Sequence, residues 1–434
     1  MLVSNLLVIP EEEPLLVTPA CSMPHEVLSL SNLDSQFFLR FTIEYIFVYK
    51  PPQGEDYEEA VERIRNGLSG ALVYYYPLAG RLRSRHDHKL EVVCNGEGAV
   101  FVRARANLSL KEFGPLHKPA KSWKKLLHKV SADGFLGIPP LVVQVTRLRC
   151  GSLIICAGIS HCLCDGLGSS QFLQAWCQIS KGAKFPSVTP AWSRDLLQSR
   201  NPPRIEYSHP EFTEVPDLCN LNTRLKSEQL QASSVIFDSA KLLEMKTLVT
   251  VHSHSKCTSF EVLSAHVWRS WIRAMDLHPK QAIKLLFSVN VRTKLQPGLP
   301  EGFYGNGFVL ACAQTTVKDL TERPLWYAVK VVQRAKEILT DEYIRSIVDT
   351  LGDSRRRPDL NGSLVISQWS RLGLMDVDFG WGKASHVGNL SSDIYCIFLP
   401  VDSDGEAVNV VLSVPRSVYG KYEYYMRNIT HNPL

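Results

Sequence analysis

Apolar and polar positions alternate along this chain in two rhythms. Leu153 to Ile159 is an unbroken apolar run of strand length, which predicts a strand covered on both faces. Residues 37–49, FFLRFTIEYIFVY, are rich in aromatic and β-branched types and predict a second central strand. Leu6 to Thr18 alternates loosely around Pro10 and Pro14, as an edge strand or extended arm does. Asp56 with Glu59 forms a capping box, and Val61, Ile64, Leu68, Ala71 and Leu72 mark one face of the helix it opens, which Pro77 and Gly80 stop. Two hairpins are expected: Leu90–Cys94 with Val100–Ala104 around Asn95-Gly96, and Leu141–Arg149 with Ser152–Ile159 around Cys150-Gly151. A helix over Gln171–Lys181 follows and buries Phe172, Leu173, Trp176 and Ile179.

From Lys181 to about Leu230 the periodicity fades, and six prolines between Pro186 and Pro216 mark a linker. The second half then predicts strands at 233–237, 284–291, 308–316, 363–369, 395–401 and 408–414. Helices are expected from Ala240, from Ser259, after Pro324 and over 417–429. Strands and helices are mixed without one regular βαβ repeat. The fold class is therefore α/β, with two mixed domains and largely antiparallel or mixed sheets.

Composition narrows this picture. With 45% hydrophobic and 21% charged residues over 434 positions, the chain is globular and long enough for two or three cores. A net charge of +5 suits an anionic small ligand and is too weak to argue for nucleic acid. The 11 cysteines form no CxxC pair and read as reduced thiols. The start MLVSNLLVIPEEEPLLV lacks a basic export region, and no run of about 18 apolar residues predicts a membrane span. A cytoplasmic location is expected, so the sequons at Asn107, Asn361, Asn389 and Asn428 are chance matches. No GxxxxGK[ST] occurs, which removes support for nucleotide hydrolysis.

The candidate chemistry sits at Ser160-His161-Cys162-Leu163-Cys164-Asp165-Gly166-Leu167-Gly168, between the buried strand and the helix. A histidine at a strand end suits a general base near neutral pH. Read from the residues alone, Asp165 either works with His161 or caps the next helix. Cys156, His161, Cys162 and Cys164 lack the second ligand pair of a zinc site, so no metal is expected. Cys162 or Cys164 as a nucleophile is the lesser alternative. Lysines between Lys111 and Lys129 read as a solvated loop, or as a surface that attracts phosphates.

HxxxDG at His161 is followed far downstream by Asp378-Phe379-Gly380-Trp381-Gly382. With Tyr76–Leu82, Ser259–Leu263, Val289–Arg292 and Tyr304–Asn306 in the same order, the chain resembles the BAHD family of plant acyl-CoA-dependent acyltransferases. The resemblance implies two domains of similar size, chloramphenicol-acetyltransferase-like, with a channel at their interface. The implied division is 1–200, a crossover linker at 201–231, and 232–362 with 386–434, residues 363–385 crossing back into the first domain. It implies acyl transfer from coenzyme A to an alcohol, with His161 as base and no covalent acyl-enzyme. Acyl-CoA is a co-substrate, no cofactor is bound permanently, and the chain is expected to be a monomer. The acyl group is acetyl, benzoyl or hydroxycinnamoyl, and Asn201–Ile205 resembles the linker of the branch that uses aromatic or simple acyl groups.

By the same resemblance Trp369 donates to the oxyanion, and Ser367, where many relatives carry Thr, binds acceptor or intermediate. Asp165 and Arg292 pair and shape the corner. Asp378 is a candidate second catalytic acid, with a structural salt bridge as the preferred alternative. Thr258 and Ser259 open a helix, where they either bind coenzyme A oxygens or cap. Two other outcomes compete: an N-acyltransferase for a polyamine, favoured by a carboxylate-lined cavity, and a catalytically silent acyltransferase-like partner protein. A peptide-synthesis condensation domain also uses HxxxDG, but usually shows a doubled His where this chain has Ser160 before His161.

Overall fold

The computed structural model describes residues 6–429 apart from 53, 132–133, 354, 392–394 and 402–405. Two large sheets dominate it. In the first, Leu153–Ser160 lies between Leu141–Arg147 and Thr42–Tyr49, antiparallel to both. Ala99–Ala106 runs parallel to Leu141–Arg147, and Val8–Pro10 and Leu15–Val17 pair along its outer edge. The apolar run 153–160 is buried throughout because both faces are covered. Leu153, Ile155, Ala157 and Ile159 face a core that also holds the helices Tyr57–Tyr74 and Gly166–Ser180. Ile154 and Cys156 face Phe113, Trp123 and Leu126. The basic stretch 107–131 is thus a lid over the sheet, its apolar residues inward and most of its lysines on the rim.

The second sheet runs Leu230–Phe237, Val408–Pro415, Cys396–Pro400, Ser363–Gln368, Ala282–Asn290, Phe308–Thr316. One face packs under Ser239–Ser253, Ser259–Met275, Leu325–Glu337 and Tyr419–Arg427 through Leu364, Ile366, Phe398 and Val309. The other face sends Phe308, Leu310, Val365 and Ile397 into the core of the first sheet. Strand periodicity divides these residues between a helix-side core and an interdomain wall.

The structure corrects two expectations. Leu90–Cys94 and Ala99–Ala106 are not a hairpin: the former joins Glu26–Ser29 and Arg81–Ser84 in a separate three-stranded sheet. The intervening loop is captured by its neighbours instead, Gly98 N–H donating to Ala79 and Arg81 donating to Gly98. Nor does 363–385 cross back as a unit. Ser363–Gln368 pairs in parallel with Ala282–Asn290 and Cys396–Pro400, because its apolar residues alternate between two covered faces. The crossing strand is His386–Asn389, which adds to the open side of Thr42–Tyr49, while Leu374, Val377, Phe379 and Ala384 plug the first core. Among the described residues, no helix is long and apolar enough to cross a membrane.

Candidate active site

The strand Leu153–Ser160 ends at the interface of the two sheets, and His161 is the next residue. Its N–H donates to Phe41, and the turn that follows leads into the helix Gly166–Ser180. Asp165 caps that helix, accepting from the Gly168 N–H at 2.8 Å. Gly168 is required here, since a Cβ would stand 1.8 Å from the Tyr304 oxygen. The Asp165 carboxylate turns away from the imidazole toward Arg292, which donates Nη1 and Nη2 at 2.8 and 2.9 Å, and it also accepts from the Gly307 N–H at 3.0 Å. Four donors on one carboxylate weld the helix start to the segment 303–307, since Arg292 also donates to Phe303 and Gly305.

His161 lines a cavity of about 550 Å3 between the sheets. Its Nδ1 is buried, which leaves Nε2 as the nitrogen able to meet a substrate. Phe41 meets the imidazole edge-on at 5.1 Å between centroids, and Phe308 lies at 5.8 Å. Burial lowers the imidazole pKa below its ordinary value, opposed by its own backbone, Asp165, Asn306 and Asp34. The ring is therefore neutral near pH 7, as a base must be.

Ser367 and Trp369 line the same cavity from the strand Ser363–Gln368 and its end. Trp369 packs on Tyr45 at 4.8 Å. The remaining walls are mostly apolar, including Phe38, Ile43, Leu310, Val365, Tyr395 and Ile397. Of the lining carboxylates, Asp165 is held by Arg292 and Glu44 is also engaged. A second cleft of about 530 Å3 carries Lys246, Ser259 and Ser370, and it shares Gln368 and Arg371 with the first.

The other expected site residues lie elsewhere. Asp378 does not line the cavity: it pairs with Lys181 at 3.3 Å and accepts from the Gly380 N–H at 2.8 Å. Burial would raise its carboxyl, but these contacts outweigh burial and hold it below the usual range, so it is an ionised acceptor. Around it, Arg63 donates to Phe379 and pairs with Glu55, which accepts from the Trp381 indole. The DFGWG loop is thereby stapled to the helix Tyr57–Tyr74. Thr258 caps Ser259–Met275 in a capping box with Glu261, which uses its hydroxyl locally, whereas Ser259 reaches the second cleft. Burial pushes the Cys162 and Cys164 thiols well above the ordinary range, which disfavours thiolates there. Among the described residues, no group of His, Cys, Asp and Glu is arranged to hold a metal ion.

Sequence reasoning missed Gln368 and Arg371, which flank Trp369 and join the two clefts, and Lys246, one helix away. For Gln368 and Arg371 the only signal is proximity to Trp369; Lys246 carries none. It also gave no role to Asn306, whose Nδ2 donates to the main-chain oxygen of His161 at 2.7 Å.

A family profile described as the Transferase family matches residues 11–427. The chain is 38% identical over 422 residues to the omega-hydroxypalmitate O-feruloyl transferase of Arabidopsis thaliana, covering 95% of this chain and 91% of that one. It is 38% identical over 381 residues to the benzyl alcohol O-benzoyltransferase of Petunia hybrida, covering 87% and 82%. It is 36% identical over 427 residues to the fatty alcohol:caffeoyl-CoA acyltransferase of A. thaliana, covering 97% and 98%. Vinorine synthase superposes with a TM-score of 0.75 at 21% identity over 96% of both chains. F. sporotrichioides TRI101 complexed with coenzyme A and T-2 does so with 0.73 at 15% identity, over 92% and 97%. These two share the two-domain fold. With the family profile spanning nearly the whole chain and relatives this similar over almost their full length, the protein belongs to the Transferase family, the BAHD acyltransferases, and is an acyltransferase.

Proposed function

We propose that the protein moves an acyl group from its coenzyme A thioester directly to the hydroxyl of an alcohol, without an acyl-enzyme. His161 Nε2 takes the hydroxyl proton as the oxygen attacks the thioester carbonyl. The Trp369 indole N–H, a donor only, stabilises the oxyanion that forms, and the Ser367 hydroxyl holds the acceptor or the intermediate. The tetrahedral intermediate then collapses: the C–S bond breaks, and the thiolate leaves with the proton from the imidazolium. Asp165 and Arg292 keep the corner in shape and take no proton.

The observation that carries this reading is the meeting of His161, Ser367 and Trp369 on one cavity whose other walls are mostly apolar. Apolar walls with engaged carboxylates favour an alcohol over a polyamine. The acceptors in the relatives' names agree, being omega-hydroxypalmitate, benzyl alcohol and fatty alcohol. Their acyl groups are feruloyl, benzoyl and caffeoyl, which favours an aromatic donor here. We place the phosphates of coenzyme A in the second cleft, where Lys246 and Arg371 outnumber the one lining carboxylate, Glu406, and Ser259 and Ser370 supply hydroxyls. The pantetheine arm then passes Gln368 toward His161.

The test is acyl transfer by the purified protein with benzoyl-, hydroxycinnamoyl- and acetyl-CoA against aromatic and long-chain alcohols and a polyamine, followed by mass spectrometry. Ester formed by the wild type and absent with His161→Ala supports the reading. Comparable turnover by His161→Ala refutes His161 as base, and amide formed in preference to ester refutes the acceptor class.

A further inference from the structure

The proposed reaction leaves Asn306 idle, although it is fully buried beside the base. Its backbone N–H and its Nδ2 both donate to Asp34 Oδ1, at 2.9 and 2.8 Å. Nδ2 donates as well to the His161 main-chain oxygen at 2.7 Å. Both acceptors are oxygens, so the amide has one orientation, with its nitrogen spent on Asp34 and His161.

Asp34 is itself clamped. The Ser31 N–H and hydroxyl donate to Oδ2 at 3.1 and 2.6 Å, and Arg194 pairs with it at 2.9 Å. Arg194 enters from the stretch after Lys181, is 1% exposed, and donates Nη2 to Leu163, inside the His161 turn, at 2.8 Å. Its guanidinium lies over Trp192, Phe303 and Tyr304 at 4.3, 4.9 and 4.9 Å. Gly305 admits it, since a Cβ there would meet Nη1 at 2.1 Å. Three distant segments thus converge behind one turn.

Three atoms of this cluster stay buried without a hydrogen-bond partner: Arg194 Nε, which is ion-paired with Asp34, and His161 Nδ1 and Asn306 Oδ1, which have no such pairing. An imidazole that acts as base through Nε2 carries its proton on Nδ1, and a buried N–H needs an acceptor. Burial lowers the imidazole pKa; against it, the ring's own main-chain oxygen and, less strongly, Asn306 raise it, as acceptors facing Nδ1 do.

We propose that Asn306 is the positioning residue of His161: it holds the main-chain oxygen through Nδ2, offers Oδ1 to the Nδ1–H side, and so keeps Nε2 unprotonated toward the cavity. The pair Asp34–Arg194 fixes Asn306 in turn. This rests on His161 being the base.

The experiment is imidazole nitrogen NMR of the His-labelled full chain, with the His161 signals assigned by their loss in His161→Ala. Steady-state kinetics against pH for wild type and Asn306→Ala run alongside. In the wild type the neutral His161 is a single tautomer protonated on Nδ1. In Asn306→Ala both tautomers appear and kcat falls roughly 10- to 100-fold with KM little changed. The acid limb of kcat/KM also moves to lower pH, because a contact that raises the pKa is gone. A wild-type His161 protonated on Nε2 overturns the proposal, as does an Asn306→Ala enzyme that keeps one tautomer and an unmoved limb. Should Asn306→Ala not fold, the wild-type tautomer decides. The tautomer is read without turnover, so a failed base assignment, seen as full activity in His161→Ala, is a separate result.

Discussion

Replacing Asp165 by Asn separates a structural role from a catalytic one. The carboxylate accepts from Gly168, from Gly307 and twice from Arg292, and its side chain is 6% exposed against 14% for the arginine. An amide presents one oxygen and one NH2, so two of the four donors lose their acceptor and Arg292 keeps a charge with no counterion. Breaking a buried pair in this way costs ~3–5 kcal/mol. At an unfolding entropy of about 2 cal/mol/K per residue, a chain of 434 residues loses roughly 3–6 °C from its midpoint. Arg292→Gln is expected to do the same from the other side, and the double variant to cost about 2 kcal/mol less than the sum. Thermal melts of all four proteins measure this, with turnover and its pH profile in parallel. If Asp165 instead oriented His161 as in a Ser-His-Asp triad, Asp165→Asn would lower kcat by roughly 10⁴-fold with stability little changed. A melt moved by under a degree together with a loss of that size would refute the argument.

Three further outcomes are expected. Trp369→Phe keeps the packing on Tyr45 and removes the indole N–H; kcat is expected to fall ~10²–10³-fold with KM nearly constant, and an unchanged kcat would remove Trp369 from the oxyanion site. Asp378→Asn loosens one partly exposed ion pair; stability is expected to drop by about 1 kcal/mol or less, with turnover nearly kept and its pH limbs unmoved, and a shifted limb would reinstate Asp378 as an acid. Burial holds the His266 imidazole down at about 4, below the ordinary 6.5, with Met426 accepting from Nε2 at 3.1 Å. The unfolded chain therefore takes up that proton first, and stability falls by roughly 3 kcal/mol as pH drops from about 6.5 to about 4; denaturation against pH, with His266→Gln as control, measures the slope.

Much of this architecture is legible in the sequence where local chemistry and tertiary covering agree. The run 153–159 reads as a doubly covered strand because every position is apolar, and Asp56 with Glu59 caps its helix as drawn. Asn95-Gly96 misleads because a hairpin signal is local, while the partners that capture this loop, Ala79 and Arg81, follow from the small sheet's topology. The segment 363–385 misleads because a strand with two apolar faces does not say which sheet it enters. The helix Asp341–Thr350 went unread although Thr340 caps it and Tyr343, Ile344, Ile347 and Val348 share its buried face. At the site, His161, Ser367 and Trp369 line one cavity, a meeting the family resemblance implies and the residues alone do not show. The cluster of Asp34, Arg194 and Asn306 was invisible, since its members stand 160 and 112 positions apart (194 − 34; 306 − 194) and only the fold brings them together.

Phe308, Leu310, Val365 and Ile397 belong to the wall between the sheets, while their strand neighbours Val309, Leu364, Ile366 and Phe398 belong to the core under the helices. A pleated strand thus lets substrate preference and fold stability be written on alternate letters. On the proposed assignment of the cavity, a methyl gained or lost at Val365 or Ile397 reshapes the chamber that would meet the substrate, while Val309 and Leu364 keep their partners under the helices. On that assignment, preference for alcohol and acyl group can change one wall position at a time without refolding the protein.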